Sequence, residues 1–276
     1  MAAVQDKDTM SDKLKSLTDT LKTYKNIAIA FSGGVDSSFL AAVAGDVCQS
    51  MVAITVKSEF QSQRETDNAV RMAERMAIPH VVVKAQVLGD SRIVQNTKDR
   101  CYFCKKMLFT LVQNKALELG YGIIVHGANV DDLSDFRPGF KAAQEMGVLS
   151  PLVKANLAKY EIRDFSRDLG LDTWDMPSQS CLATRIPYGE SITLEKLAMV
   201  ESGEEILHSL GFLSARLRCH GNVARIELDP EAIDRILVKE LRHTVVEKLK
   251  CVGFSYVALD LEGYVSGSMN RPLPVS

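Results

Sequence analysis

The chain has 276 residues, of which 46% are hydrophobic and 25% charged, and its formal net charge is −2. This composition is that of an ordinary globular protein, and the balance of charge argues against a protein that grips a long nucleic-acid backbone. The polar N-terminal stretch lacks the apolar core of a signal peptide, and no apolar run approaches the roughly 18 residues of a membrane span. We therefore expect a cytoplasmic protein that binds neither membranes nor nucleic acid.

The first part of the chain alternates helical and strand-like patterns. Leucines at helical spacing predict an opening helix over 11–24. Apolar runs predict strands at 26–31, 51–56, 80–85 and 122–127, with helices near 37–45, 62–77, 102–119 and 157–171. Continuous apolar strands separated by helices are typical of a parallel sheet covered on both faces. The pattern predicts a doubly wound α/β domain.

The pattern changes from about residue 191. A helix (193–210), two short strands (215–220 and 223–228), a helix (230–249) and a last strand (256–261) follow. This order predicts a smaller α+β domain with an antiparallel sheet. The joint DMPSQSCLATRIPYGES, residues 175–191, is rich in Pro, Gly and Ser, so we place the domains at 1–180 and 181–276.

A glycine- and serine-rich loop follows the first predicted strand. The stretch SGGVDSS comprises Ser32, Gly33, Gly34, Val35, Asp36, Ser37 and Ser38. Backbone N–H groups at a helix start lack internal partners, glycines let them approach an anion, and serine hydroxyls add donors. Asp36 cannot bind phosphate itself, but it could hold Mg²⁺ or orient the loop. The loop therefore predicts a phosphate site; the alternative is a turn whose Asp and Ser cap the helix.

The same loop resembles that of the pyrophosphate-loop (PP-loop) ATPases, which cleave ATP to AMP and pyrophosphate while adenylating a substrate. A Walker lysine and a GxGxxG motif are both missing, so other nucleotide folds fit poorly. The resemblance implies ATP and Mg²⁺ as cofactors and a place for Ser58, in VKSEF, near the adenine. It also aligns Gly127, in HGANVDD, with the GTNxDD segment; Asp131 and Asp132 there could equally be helix caps.

Six cysteines in a chain without a secretory signal suggest thiols or metal ligands rather than disulfides. Cys101 and Cys104 have CxxC spacing, and Cys181 in the joint is the natural third ligand. Three thiolates could hold a [4Fe–4S] cluster with one open iron. A zinc site, a redox pair and thiols without function are the alternatives. Cys48, Cys219 and Cys251 are expected to be small apolar fillers.

The longer motifs resemble the LarE family over nearly the whole chain. They are FSGGVDSS, DFRPG (135–139), CLATRIPYG (181–189), SLGF (209–212), ARLRCHGNVARIEL (215–228) and LDLEGYVSGSMN (259–270). The resemblance implies an ATP-dependent sulfurtransferase of nickel-pincer nucleotide synthesis, acting on pyridinium-3,5-biscarboxylic acid mononucleotide. It implies adenylation of a carboxylate, followed by displacement of AMP by sulfur.

The family resemblance implies one of two sulfur chemistries. CYFC and Cys181 resemble the three-cysteine members, in which a [4Fe–4S] cluster holds transferable sulfide. In the runner-up mechanism Cys181 sacrifices its own sulfur. Cys181 and Asp36 are thus the expected catalytic residues, sulfide or another sulfur donor the expected partner, and a homo-oligomer the expected state.

Two arginines, Arg216 and Arg218, alternate along a predicted strand and so face one side, where paired guanidiniums suit a phosphate or carboxylate. The resemblance implies that they bind the substrate phosphate, that Arg185 neutralises a carboxylate, and that Glu204 and Glu227 lie near a metal. Solvation on a helix face is the alternative for Glu204. Two positions depart from the family: Val265 replaces an expected arginine, and Asp234 does not align as a third acidic position.

Three rival functions share parts of these patterns. A tRNA 2-thiolation enzyme shares the loop and the three cysteines, but no strip of basic and aromatic residues for RNA is visible. An ammonia-using amidation enzyme would leave CYFC without a role, and no glutaminase cysteine is visible. A nucleotide sensor would bind ATP without turnover, so release of pyrophosphate would exclude it.

Overall fold

The structure, a computed structural model, describes residues 2–133, 138–177, 180–265 and 267–271, without the side chains of 2–9. Residues 135–137 of DFRPG and residues 178–179 of the joint therefore lie outside the described residues. The chain forms two compact units: residues 1–86 with 101–179, and residues 87–100 with 180–276. The second unit thus includes the segment 87–100, which the sequence-based boundary had left in the first domain.

The first unit is built on a parallel sheet of four strands. These are β1 (Asn26–Ala30), β2 (Ser50–Lys57), β3 (His80–Lys84) and β4 (Ile123–His126). Their order is β3-β2-β1-β4, and every pair is parallel. The two central strands are almost wholly buried, as the continuous apolar runs require. The predicted α/β fold is confirmed.

The described residues before the joint form eight α-helices: α1 (Ala2–Tyr24), α2 (Val35–Val47), α3 (Gln63–Arg75), α4 (Ser91–Val94), α5 (Arg100–Glu118), α6 (Pro138–Glu145), α7 (Pro151–Lys154) and α8 (Lys159–Asp168). Of these, α4 belongs to the second unit. Leucines of α1 and Phe39 and Leu40 of α2 pack with β1 in one hydrophobic core. None of the described helices combines the length and apolar character needed to cross a membrane.

The second unit contains α9 (Leu194–Ser209), β5 (Arg216–His220), β6 (Val223–Glu227), α10 (Ile233–Ile236), α11 (Lys239–Val252) and β7 (Tyr256–Leu259). The strand order is β5-β6-β7; β5 pairs antiparallel with β6, but β6 pairs parallel with β7. The expected all-antiparallel sheet is therefore wrong. The helical crossover through α10 and α11 separates β6 from β7, which allows the parallel pairing that a hairpin cannot make.

The sheet order of the first unit creates a switch point between β1 and β4. From β1 the chain crosses to β2 on one side, and β4 later adds on the other side. Ligands of open α/β sheets bind at the carboxyl ends of strands at such a point. The loop after β1 and Gly127 after β4 both lie there, so the fold itself places the predicted phosphate loop at the expected edge.

Candidate active site

The loop between β1 and α2 packs tightly against α3. Gly33 has a φ of +71°, a left-handed conformation that favours glycine. A Cβ atom added to Gly33 would lie 2.6 Å from the Cα of Ala69 in α3. The amide Nδ2 of Asn68 also donates to the Gly33 carbonyl at 3.1 Å. Gly33 is therefore required both by its φ and by the closeness of α3.

Serine hydroxyls brace the loop from within. The Oγ of Ser37 donates to the Gly34 carbonyl at 3.2 Å and lies 3.1 Å from the Oγ of Ser32. These contacts hold the loop at the start of α2, where unpaired N–H groups and the helix dipole favour an anion. Ser38, by contrast, is fully buried, and its Oγ has no hydrogen-bond partner in the part of the chain that the structure describes.

Gly127 brings the end of β4 against the start of α2. A Cβ atom at this position would lie 2.9 Å from the backbone nitrogen of Ser37 and 3.0 Å from the carbonyl carbon of Asp36. Real Cβ atoms essentially never approach this closely. The two backbones therefore touch, which requires a glycine at position 127; its part in binding ATP stays a prediction.

Asp36 is held by two residues that the sequence analysis did not assign to the site. Its carboxylate accepts from the Nδ2 of Asn129 at 3.2 Å and from the Nζ of Lys159 at 2.5 Å. Lys159 lies at the start of α8, where its positive charge is unfavourable next to the helix dipole. A lysine at this unusual position is a sequence signal that could have indicated a role for Lys159. Asp36 therefore lies in the first turn of α2, and its orientation is fixed by the segment after β4 and by α8.

The acidic pair after β4 shapes the same edge of the sheet. Asp131 accepts from the backbone N–H of Lys159 at 2.7 Å, and Asp132 accepts from that of Asn129 at 3.0 Å. The capping interpretation therefore describes Asp131, which caps α8.

A Mg²⁺ ion is usually held by one or two carboxylates together with substrate phosphates. The partly exposed carboxylate of Asp36 beside the phosphate loop fits that donor set.

Ser58 follows β2 at the same edge of the sheet. Its Oγ accepts from the Phe60 N–H at 3.3 Å, and its own N–H donates to the Gln61 side chain at 3.2 Å. These bonds form a tight turn, and Ser58 is 5% exposed. The turn is thus fixed where the resemblance places the adenine.

His126, the last residue of β4, is held neutral. Its Nε2 lies 2.7 Å from the Oγ of Ser150, and its ring contacts Phe109 and Phe140. Burial, aided by the charge of Lys105, lowers the pKa of His126 to about 3. At neutral pH the imidazole is therefore uncharged and acts as a hydrogen-bonding group.

The CxxC pair lies in the first turn of α5. Cys101 and Cys104 are both half-buried, and residues three apart share one face of a helix. Cys181 is half-buried just before the short 3₁₀ helix Leu182–Arg185 of the second unit. Among the residues that the structure describes, no three or more His, Cys, Asp or Glu side chains are grouped so that they could hold a metal ion.

The remaining cysteines differ from one another. Burial raises the pKa of Cys48 and of Cys219, so both thiols are poor nucleophiles, as apolar fillers would be. Cys251 is exposed on α11, so its interpretation as a buried filler is wrong.

The second unit gathers the predicted arginines and glutamates into two buried ion pairs. Arg185 donates to both oxygens of Glu204, at 2.9 and 3.2 Å. Arg218 donates to Glu227 at 2.6 Å. Glu204 is 7% exposed, which excludes the alternative that it is a solvated helix-face residue.

Arg216 adds a further buried positive charge. Its guanidinium lies 5.4 Å from the centre of the Tyr264 ring. Burial lowers the pKa of Arg216, and the charge of Arg185 lowers it further.

Sequence reasoning missed Arg225, which donates to Glu227 at 3.0 Å and to Asp260 at 2.8 Å. Asp234, the acidic position that did not align, is exposed.

Comparisons with known proteins agree with this geometry. A family model of the PP-loop domain matches residues 6–135. An uncharacterized protein of Synechocystis is 43% identical over 96% of this chain and 99% of its own. The pyridinium-3,5-bisthiocarboxylic acid mononucleotide synthase of Lactiplantibacillus plantarum is 35% identical over 96% of each chain. The tRNA-specific 2-thiouridylase MnmA of Desulforamulus reducens is 24% identical over 55% of this chain and 53% of its own.

Replacing Gly127 by alanine tests the contact between β4 and α2. The added methyl group must push β4 away from Ser37, so we expect ATP affinity to fall at least about tenfold by calorimetry. Gly122→Ala is the matched control, because Gly122 precedes β4 and has open space around it. Equal affinities in the two variants would contradict this account.

The neutral state of His126 predicts a pH effect on stability. Between its ordinary pKa of 6.5 and its folded value of about 3, the unfolded chain binds one more proton than the folded chain. The free energy of unfolding should therefore fall on acidification by about 1.4 kcal/mol per pH unit more in the wild type than in His126→Gln. Urea unfolding between about pH 6 and pH 4 measures this, with the exposed His243→Gln variant as control. Parallel curves for wild type and His126→Gln would refute the assignment.

Removing one partner of the buried pair Arg185–Glu204 should destabilise the protein. Glu204→Gln leaves a buried guanidinium without its counter-charge, so we expect a loss of about 3 kcal/mol in unfolding free energy. Glu205→Gln, at the exposed neighbouring position, should change it by less than about 0.5 kcal/mol. Denaturant unfolding compares the two, and similar small losses would count against a buried ion pair.

Proposed function

Since the chain belongs to the LarE family of PP-loop proteins, we propose that it inserts sulfur into pyridinium-3,5-biscarboxylic acid mononucleotide. The chain is an ATP-dependent sulfurtransferase; the proposal concerns its acceptor and its source of sulfur. One observation carries it. A phosphate-binding loop lies at the switch point of the sheet, in a chain that aligns over 96% of its length with a synthase of the bisthiocarboxylic product.

The loop suits adenylation with release of pyrophosphate. A carboxylate oxygen of the acceptor attacks the α-phosphorus of ATP, and pyrophosphate leaves toward the N–H groups at the start of α2. Asp36, oriented by Asn129 and Lys159, would hold Mg²⁺, which neutralises phosphate charge when bound. Sulfur then attacks the acyl carbon, and AMP leaves with the former carboxylate oxygen. A second round converts the other carboxylate.

The buried arginines of the second unit suit the anionic groups of this acceptor. The Nε–H groups of Arg218 and Arg225 are buried and have no hydrogen-bond partner among the residues the structure describes. An unpaired buried donor is unfavourable, and an arriving phosphate or carboxylate would satisfy it. We assign substrate binding to Arg216 and Arg218, with Arg185, Glu204 and Glu227 shaping the same cluster.

The sulfur source is proposed to be a [4Fe–4S] cluster on Cys101, Cys104 and Cys181. The CxxC pair, three apart on one helix face, fits two of the three thiolates. When bound, such a cluster supplies an iron that can hold sulfide. The alternative is sacrifice of Cys181: its thiolate attacks the acyl adenylate, and β-elimination then leaves dehydroalanine and releases the thiocarboxylate. The homo-oligomeric state stays a prediction.

Iron binding separates the two sulfur sources. After anaerobic reconstitution with iron and sulfide, we expect about four irons per chain in the wild type. Cys101→Ala, Cys104→Ala and Cys181→Ala should each lose most of that iron. Cys251→Ala is the matched control, because Cys251 is exposed on α11, and it should keep its iron. Iron counting with Mössbauer spectroscopy gives the result.

A wild type without iron would overturn the cluster proposal, and a loss of about 34 Da at Cys181 after one turnover would then support the sacrificial route.

Pyrophosphate release tests the acceptor independently of the sulfur source. It should require the pyridinium mononucleotide and be insensitive to tRNA. Release that depends on tRNA would instead support the 2-thiouridylase activity named for the more distant relative.

A further inference from the structure

Side chains hold the backbone of the segment that carries Cys181. Within residues 181–187, here called the Cys181 segment, five carbonyl groups accept hydrogen bonds from side chains. The carbonyl of Cys181 accepts from Arg185 (3.1 Å), that of Ala183 from Arg100 (3.0 Å) and that of Thr184 from Arg218 (3.1 Å). The carbonyls of Ile186 and Pro187 both accept from the side chain of Asn96, at 3.2 and 2.8 Å. Two of these residues, Arg185 and Arg218, already belong to the proposed substrate site.

The other two, Arg100 and Asn96, come from residues 87–100, here called the clasp. Backbone bonds continue the attachment beyond the Cys181 segment. The N–H of Gly189 donates to the Asn96 carbonyl at 3.0 Å, and the N–H of Ile192 donates to the Val94 carbonyl at 2.9 Å. These contacts place the clasp in the second unit.

Arg100 is buried in a defined geometry. It is 2% exposed, and its Nη1 donates both to the Oδ1 of Asn96 at 2.5 Å and to the Ala183 carbonyl. Its guanidinium carbon also lies 5.5 Å from the centre of the Tyr188 ring. Burying a guanidinium is unfavourable unless its donors are used, and its planar fork fixes the direction of each donor.

Asn96 is suited to its place by its backbone. It is fully buried and has a φ of +52°, which asparagine tolerates better than most residues. Its side-chain oxygen accepts from Arg100, while its nitrogen donates to two successive carbonyls of the Cys181 segment. Arg100 and Asn96 thus act as one unit on that segment.

The Cys181 segment needs such support because it has little regular structure. Its one short 3₁₀ helix, Leu182–Arg185, makes few internal hydrogen bonds, such as that from the Thr184 N–H to the Cys181 carbonyl. Side-chain donors therefore determine where the backbone at Cys181 runs. An error of about 1 Å in a reacting group can reduce a rate about a hundredfold.

We propose that Arg100 and Asn96 are positioning residues for the thiol of Cys181. The inference rests on the proposed function only in giving Cys181 a role in sulfur transfer, and it holds for either sulfur source. Removal of either side chain should misplace the thiol without affecting the phosphate loop, which belongs to the first unit.

Two variants of the full chain test this. Arg100→Met keeps the length of the side chain without its donors, and Asn96→Gly keeps the positive φ without the amide. Arg92→Met is the matched control, because Arg92 is an exposed arginine of the same clasp. Circular dichroism and unfolding midpoints check the fold, and peptide mass spectrometry measures alkylation of Cys181 against that of the exposed Cys251.

We expect both test variants to change the alkylation rate of Cys181 at least about fivefold, with Cys251 unchanged. Formation of the thiocarboxylate should fall at least about tenfold in kcat, with the KM for ATP and pyrophosphate release within about twofold of wild type. Arg100→Lys, which retains a single ammonium group, should recover part of the product rate.

Unchanged Cys181 alkylation and product in a folded Asn96→Gly or Arg100→Met variant would overturn the proposal. The proposal would also be overturned if both variants lost ATP binding and their cooperative unfolding transition, because that result would show a general structural role. If the wild type released no pyrophosphate with the pyridinium acceptor, the proposed function would fail. The comparison of alkylation rates would still decide the positioning role.

Discussion

Backbone-to-backbone contact at the carboxyl edge of the parallel sheet is the constraint on which the nucleotide site depends. Gly33 lies against Ala69 of α3, and Gly127 lies against Ser37 of α2, with no room for a Cβ atom at either glycine. Such contact fixes the loop before any ligand arrives, so its N–H groups need little reorganisation to meet phosphate oxygens. Packing already makes the loop rigid, and two further sets of bonds add to this rigidity. Serine hydroxyls bond within the loop, and Asn129 and Lys159 donate to Asp36.

The second unit contains a buried cluster of charged residues beside its apolar core. Buried ion pairs contribute little to stability compared with apolar residues of similar size, because desolvation offsets their attraction. The assigned cluster contains three arginines, Arg185, Arg216 and Arg218, and two glutamates, Glu204 and Glu227. Recognition of an anion and the fixing of a polar loop both explain such a cluster better than stability does.

Apolar runs sufficed to predict the four strands of the first unit, and the glycine- and serine-rich motif predicted the loop that follows β1. Features that depend on distant partners escaped it. The clasp has no strong periodicity, and its place in the second unit rests on bonds to residues about ninety positions away. Glu204 has the sequence context of a solvated helix position, and its bonds from distant Arg185 and from the Leu217 N–H explain its burial. Cys251 looked like an apolar filler, yet it lies on an exposed face of α11.

Arg100 is adjacent in the chain to the CxxC pair that we propose as cluster ligands, and its side chain binds the Cys181 segment. It is the last residue of the clasp and the first of α5, and Cys101 follows it directly. Its side chain holds the carbonyl two residues beyond Cys181, while its backbone begins the turn that carries the CxxC pair. An arginine suits this position better than a lysine, because a planar guanidinium can bond an amide oxygen and a carbonyl while lying near an aromatic ring. The geometry of the Cys181 segment therefore depends on Arg100, whose role comes from its contacts in the fold and which lies outside the motifs that identify the family.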